Sequence, residues 1–321
     1  MKSAPATPIP LLIDTDMGVD DAVAIALALA APALDVRSIV ATGGNVDRDQ
    51  SLRNVRRLLE ALRPARLPSV GCGLDQQAPG LLDARHVFGR DGLGEVGDGQ
   101  ATDAPPGRES SEAEYLDVYR AFLRDGGPEA VVVAIGPLTT LAAVLRQDAP
   151  LLRRARRIVV MGGALWCPGN VQGLAEFNVY RDPAAAAAVF GAGLPITLVP
   201  LDVTRSVTLD ESHRAHLAAC GTPAGEFLAA ALAYPMRHST EAGPGRFIVH
   251  DALAVGVLLW PELFVKTGLR VEVDPGSAPP GRTRPILAHH PAGRLDALTA
   301  VNAIDFMENL LERLCDETFV V

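Results

Sequence analysis

Cysteine, basic charge and long hydrophobic runs are all scarce in this chain. Its four cysteines (Cys72, Cys167, Cys220 and Cys315) are spread over 321 residues with no CxxC pair. They read as reduced, mostly buried thiols of a cytosolic protein. No apolar run reaches the roughly 18 residues needed to span a bilayer. The N-terminal stretch Met1–Pro10 carries one lysine, three prolines and no apolar core of signal-peptide length, so neither export nor a membrane partner is expected and the cytoplasm is the expected location. The GxxxxGK[ST] pattern of a P-loop is missing. A net charge of −9 argues against a nucleic-acid backbone or an anionic membrane as partner and favours a small neutral or polar molecule.

What is present is apolar bulk, 48% of the residues, ample for a buried core. Short β-branched runs alternate with alanine- and leucine-rich segments of helical length. Strands are expected at Ile9–Asp14, Val36–Thr42, Ala130–Ile135, Arg157–Met161 and Pro195–Pro200. Helices are expected at Asp20–Ala31, Gln50–Leu62, Ser111–Leu123, Leu138–Arg146, Pro183–Phe190, Ser212–Ala219, Asp251–Trp260 and Leu295–Leu314. This rhythm predicts an α/β fold: one domain over 1–321, a mostly parallel, Rossmann-like central sheet and helices on both faces. Segments 71–107 and 239–246 break the rhythm, and long loops in a compact domain are usually functional lids or disordered segments.

In open α/β sheets ligands bind outside the carboxyl ends of the strands. Four aspartates crowd there into eight residues: Asp14, Asp16, Asp20 and Asp21. Like charges that close need a counter-charge, and the natural one is a hard divalent cation on oxygen ligands. Helix capping accounts for Asp20 or Asp21 but not for Asp14 and Asp16 as well. Other strand ends run into polar residues too. Asn45 follows Gly43 and Gly44, and alone it reads equally as a turn residue. Asn170, Glu176 and Asn178 form a denser set suited to vicinal hydroxyls. His250 and Asp251 open an apolar helix, where Asp251 is either a first-turn acid or a further metal ligand.

Other signals are weaker. Gly92–Gly97 fits GxGxxG without the strand and helix a dinucleotide site requires. His213 and His216 sit three apart on a predicted helix with no third ligand and read as a solvated face. His289 and His290 read as surface. Trp166 either lines a pocket or packs, and Trp260 reads as core.

Taken together, these segments resemble the inosine-uridine-preferring nucleoside hydrolase family along essentially the whole chain. Asp14–Asp21 matches its DTDxGxDD signature, and Gly44–Asn45 its GN element. Met161–Gly163, Gly169–Asn170 and Ala175–Asn178 match its MGG, GN and AEFN blocks, and Val249–Leu253 its HDxL element. The resemblance implies a nucleoside N-ribohydrolase with one Ca²⁺, held by Asp16, Asp21, Asp251 and the Ile135 carbonyl. Asp16 would also activate the water. Asp20, Asn45, Asn170, Glu176 and Asn178, beside Phe177, would hold the ribose. Asp14 would brace the turn, and His250 would protonate or orient the leaving base. The family implies a homodimer or homotetramer.

Two departures stand out. The loop that commonly reads HVHGxxGLG has Phe88 at its second histidine, which can stack on a base but not donate a proton; His86 is expected to be displaced from the base. The stretch Ala164–Pro168 before Asn170 is longer. Base preference stays open between purine, pyrimidine and modified nucleosides. Two rivals are weighed. A DxD phosphohydrolase of the haloacid dehalogenase type would leave the AEFN and HD blocks without a role. A non-catalytic nucleoside- or sugar-binding protein is disfavoured because Asp16 and the implied metal ligands are intact.

Overall fold

The computed structural model describes residues 7–76, 81–96, 113–286 and 293–316. His289, His290 and Gly97 lie outside them. The strands are β1 Ile9–Thr15, β2 Leu34–Ala41, β3 Ser69–Cys72, β4 Ala113–Glu114, β5 Val131–Ala134, β6 Arg157–Met161, β7 Ile196–Val199, β8 Thr208–Asp210, β9 Arg246–Ile248, β10 Phe264–Asp274, β11 Arg282–Ile286 and β12 Leu295–Val301. The helices are α1 Val19–Ala30, α2 Arg48–Leu62, α3 Arg85–Phe88, α4 Tyr115–Asp125, α5 Thr139–Leu152, α6 Phe177–Arg181, α7 Pro183–Gly191, α8 Leu201–Thr204, α9 Glu211–Ala219, α10 Pro223–His238, α11 Ala252–Leu259 and α12 Ala303–Leu314.

Ten strands form one sheet in the order β11-β10-β12-β7-β6-β5-β1-β2-β3-β4. From β12 to β4 every pairing is parallel; β10 and β11 add an antiparallel edge. Alternate β1 residues feed two apolar layers, with Leu11 and Ile13 in one and Leu12 in the other, as the period of two requires. The chain runs outward from β1 through β2, β3 and β4, then restarts at β5 on the other side of β1. The carboxyl end of β1 is therefore a topological switch point, where a crevice opens between diverging connections. Helix α1 is apolar nearly all round, and Val19 to Ala28 are fully or almost fully buried.

Three expectations are corrected. Leu295–Leu314 is not one helix: Leu295–Val301 is strand β12, clasped between β7 and β10, and Asn302 caps α12 by accepting from the Asp305 N–H. Sheet pairing overrides the helical preference of its leucines and alanines. The cysteines are partly exposed rather than mostly buried, and among the described residues none forms a disulfide. Helix α10 occupies a stretch where the sequence rhythm predicts no element, with Pro223 in its first turn and Pro235 near its end. Trp166 is 56% exposed, whereas Trp260 packs edge-on against Phe306. His213 closes a capping box with Asp210. Among the described residues no helix is long and apolar enough to cross a membrane.

Candidate active site

Strand β1 ends one residue before Asp16, and the chain turns through Met17 in a left-handed conformation (φ 48°) into Gly18, the N-cap of α1. A glycine is required there by close approach: a Cβ would lie 2.6 Å from Asn45 Nδ2 and 3.1 Å from the Phe88 ring. Gly44 is under the same constraint, since its Cβ would fall 2.0 Å from Asp16 Oδ2.

The aspartates have separate partners. Asp14 Oδ2 accepts the Tyr119 hydroxyl at 2.7 Å. Asp16 Oδ2 accepts the Asn45 backbone N–H at 2.7 Å. Asp21 Oδ2 accepts the Gly18 N–H at 2.7 Å and the Asn45 side-chain amide at 3.2 Å, while its Oδ1 takes the Thr15 hydroxyl. The Oδ1 atoms of Asp14, Asp16 and Asp20 are buried with no hydrogen-bond partner. Asp251, at the N-cap of α11, closes the group: carboxylate oxygens of Asp20, Asp21 and Asp251 all lie within 4.8 Å of one another.

Burial and mutual repulsion push these groups up. Burial, then Asp21, raises Asp16 well above the carboxylate range, against the Asn45 N–H. Burial, then Asp20, Asp21 and Asp16, does the same to Asp251. Burial and Asp21 carry Asp20 to about 7. Orphaned buried oxygens among carboxylates that resist ionising together fit a hard divalent cation on oxygen donors.

Above this floor is a cavity of about 260 Å³. Of the residues expected from sequence, it is lined by Asp20, Asn45, Phe88, Ile135, Asn170, Glu176, Phe177, Asn178, His250 and Asp251. Asp16 and Asp21 do not line it and lie fully buried. Asn178 Nδ2 donates to the Ile135 carbonyl at 2.9 Å. Glu176 caps α6, accepting the backbone N–H groups of Gly163, Asn178 and Val179 at 2.8–3.0 Å. Asn170 Oδ1 accepts the Phe177 N–H at 2.9 Å. The polar set is thus held in place by the backbone it serves.

The cavity wall also carries the aromatic rings of Phe88, Phe177 and Phe247. Phe88 stands edge-on to Phe247, with ring centroids 5.9 Å apart. His86 lines the same cavity. His250 shares a 2.7 Å hydrogen bond between Nδ1 and the Thr204 hydroxyl, and its Nε2 lies 3.7 Å from Glu241 Oε2. Burial alone would lower the His250 pKa; Glu241, Asp20 and Glu176 outweigh it and raise it. Glu241 is held at about 2, because His250 and Arg205 overcome its own burial.

Sequence reasoning missed Thr204, Arg205, Tyr119 and Glu241. Only Glu241 had a pointer, its place in the irregular 239–246 segment, of which Ser239, Thr240 and Glu241 line the cavity.

The sequence pattern of inosine-uridine preferring nucleoside hydrolases matches residues 11–308. The pyrimidine-specific ribonucleoside hydrolase RihA of Citrobacter koseri is 36% identical over 268 residues, covering 83% of this chain and 84% of that protein. RihA of Escherichia coli is 34% identical over 269 residues, covering 83% and 84%. Among solved structures, the plant nucleoside hydrolase PpNRh1 superposes with a TM-score of 0.86 at 27% identity, covering 96% of this chain and 99% of that one. The purine-preferring ribonucleoside hydrolase of Gardnerella vaginalis does so with a TM-score of 0.83 at 29% identity, covering 95% and 98%.

Proposed function

Because the chain belongs to the inosine-uridine preferring nucleoside hydrolase family, we propose that it hydrolyses the N-glycosidic bond of ribonucleosides in the cavity above Asp16, Asp21 and Asp251, with Ca²⁺ as cofactor. The observation that carries this reading is the buried, partnerless carboxylate oxygens beneath a cavity that is also lined by the Phe88, Phe177 and Phe247 rings. Asp16, Asp21, Asp251 and the Ile135 carbonyl would hold the cation, with Asp20 at its edge. When bound, it supplies the positive charge that lets these carboxylates ionise together, and it lowers the pKa of a water in contact with it.

The chain's own groups do the rest. Asp16 takes the proton of the attacking water at Oδ1, since Oδ2 is engaged by Asn45. Asp20, Asn45, Asn170, Glu176 and Asn178 grip the ribose hydroxyls. As the glycosidic bond breaks, the sugar becomes oxocarbenium-like, and the carboxylates below the ring stabilise its positive charge. Water completes the substitution, so no covalent sugar intermediate forms. Phe88 stacks on the departing base, and His250 gives it a proton or orients it.

The same reading makes the protein one domain over residues 1–321, cytoplasmic, and a homodimer or homotetramer. The test is to incubate it with inosine, uridine, cytidine and adenosine in saturating Ca²⁺ and follow free base and reducing sugar. Ribose release that a chelator abolishes is expected. Tight nucleoside binding without any ribose release would leave a binding protein instead.

A further inference from the structure

The short helix α8 and Arg205 just after it hold the stretch before Asn170 together with His250 and Glu241 of the cavity wall. Asp202 accepts the backbone N–H groups of Leu165 and Trp166 at 2.8 and 2.7 Å. Thr204 holds the His250 ring through Nδ1. Arg205, just after the helix, donates from Nη1 to the Pro168 carbonyl and contacts Cys167 Sγ at 3.5 Å. The same guanidinium grips Glu241 Oε1 through Nε and Nη2, both at 2.8 Å. The long stretch before Asn170 and the 239–246 segment are therefore tied to one arginine.

This leaves the second Glu241 oxygen unusually placed. Oε1 is taken by Arg205, so Oε2 faces His250 Nε2 at 3.7 Å. That is longer than a hydrogen bond but close enough for the charge to set the ring's orientation. The ring is then fixed from both sides, by a hydroxyl at Nδ1 and a carboxylate at Nε2. An arginine fork is well suited to anchoring such a carboxylate, because its planar donors restrict where the acceptor can sit. Phe88 supplies no proton donor at the base end, so the placing of His250 matters more in this chain.

We propose that Glu241, anchored by Arg205, is a positioning residue: it fixes the His250 ring toward the leaving base and holds the 239–246 segment, of which residues 239–241 line the cavity, in place. This role rests on the hydrolase reading above. Glu241 touches no bond that is made or broken; it acts through His250.

The test compares two substrates that differ only in what their leaving group needs. A natural nucleoside such as inosine or uridine loses a base that benefits from protonation. A p-nitrophenyl β-D-riboside loses a stable phenolate that needs no proton. Glu241→Gln keeps the shape and removes the charge. On nucleosides its kcat should fall about ten- to a hundred-fold, by analogy with the loss when a metal-ligating side chain is deprived of the partner that orients it. On the aryl riboside kcat should stay at the wild-type value, with KM changing little. Arg205→Ala cuts the same carboxylate loose from the other end and should reproduce the pattern.

Equal losses on both substrates would mean that Glu241 only supports the fold, and would overturn the proposal. So would an unchanged ratio of the two activities. Hydrogen exchange gives a readout independent of turnover: amides of 239–246 should exchange faster in Glu241→Gln while those of α11 do not. Unchanged exchange there would overturn the tie to the segment. A wild-type protein inactive on both substrates would instead sink the hydrolase reading, and the positioning role with it.

Discussion

Asn45 donates its backbone N–H to Asp16 Oδ2 at 2.7 Å, which leaves Asp16 Oδ1 as the buried oxygen without a partner. One oxygen thus locks the carboxylate in place and the other is left for chemistry. Asp16→Asn should lower kcat by at least the ~10²–10⁴-fold typical of losing a general base, because an amide at that position accepts no proton. Circular dichroism should be unchanged. Wild-type turnover in this variant would move the base role elsewhere, with Asp20 the next carboxylate to test.

Gly44 serves the same lock. A methyl group at this position would sit 2.0 Å from Asp16 Oδ2 and 2.7 Å from Pro137 Cδ, so Gly44→Ala must displace either the aspartate or the turn. We expect loss of both activity and Ca²⁺ affinity, with little change in the apolar core beneath. Calorimetric titration of Ca²⁺ checks this directly, and wild-type affinity would show that the turn yields without moving Asp16.

The four-aspartate cluster was legible in the sequence because all its parts are local. A strand, a turn and a helix bring Asp14, Asp16, Asp20 and Asp21 together within eight residues. Asp251 is 230 positions from Asp21, and only the family pattern joins the two. Thr204 and Arg205 carry no periodicity or spacing that a rule for local sequence could select, and Glu241 is marked only by its place in the irregular 239–246 segment. The antiparallel edge was invisible for a different reason. The first five residues of β10 are exposed or half-buried with no strict alternation, and β11 carries Pro285, which an edge strand tolerates but which reads as a breaker.

The cation-free protein should lose stability as pH rises from about 4 to 7. Burial lifts Asp14 from 3.8 to about 7, only partly opposed by the Tyr119 hydroxyl. Burial and Asp21 lift Asp20 to about 7, with His250 opposing. A carboxyl whose folded pKa is raised binds its proton more tightly folded than unfolded. The resulting stabilisation is fully present below 3.8 and is lost as pH climbs through about 7. Thermal melts in chelator should therefore show a falling Tm across this range. Added Ca²⁺ should raise Tm most at the upper end, where the carboxylates are charged. A flat profile in chelator would contradict the assigned burial of these groups.

Phe88 should set how well the base is held rather than how fast the bond breaks. Its ring is 6% exposed, lines the cavity and is braced edge-on by Phe247. Base–aromatic stacking is worth about 1–3 kcal/mol, so Phe88→Leu should raise KM for nucleosides by roughly five- to 150-fold and leave kcat within a few-fold. Phe88→His places a donor beside His86 and should raise kcat on those bases whose departure is limited by protonation. Measuring kcat and KM for inosine and uridine in both variants separates the two effects. A drop in kcat with unchanged KM in Phe88→Leu would mean that the ring acts on the transition state instead.

Away from the cavity, Cys220 and Cys315 should differ sharply in reactivity although both are partly exposed. Cys220 closes α9 and Cys315 closes α12. The Thr222 hydroxyl bridges the two ends, donating to the Leu314 carbonyl at 3.0 Å and lying 3.4 Å from Cys220 Sγ. Burial pushes the Cys220 thiol up, but hydrogen bonds from Cys315 and Thr222 outweigh it and lower its pKa. Burial and then the Cys220 contact push Cys315 the other way, to about 12. The thiolate is the nucleophile, so iodoacetamide at pH 8 should alkylate Cys220 well before Cys315. Peptide mass spectrometry over a time course reads the order. In Cys220→Ser the thiolate neighbour is gone, and Cys315 should react faster than it does in the wild type. Equal rates for the two thiols in the wild type would mean that they do not share a proton as their contact requires.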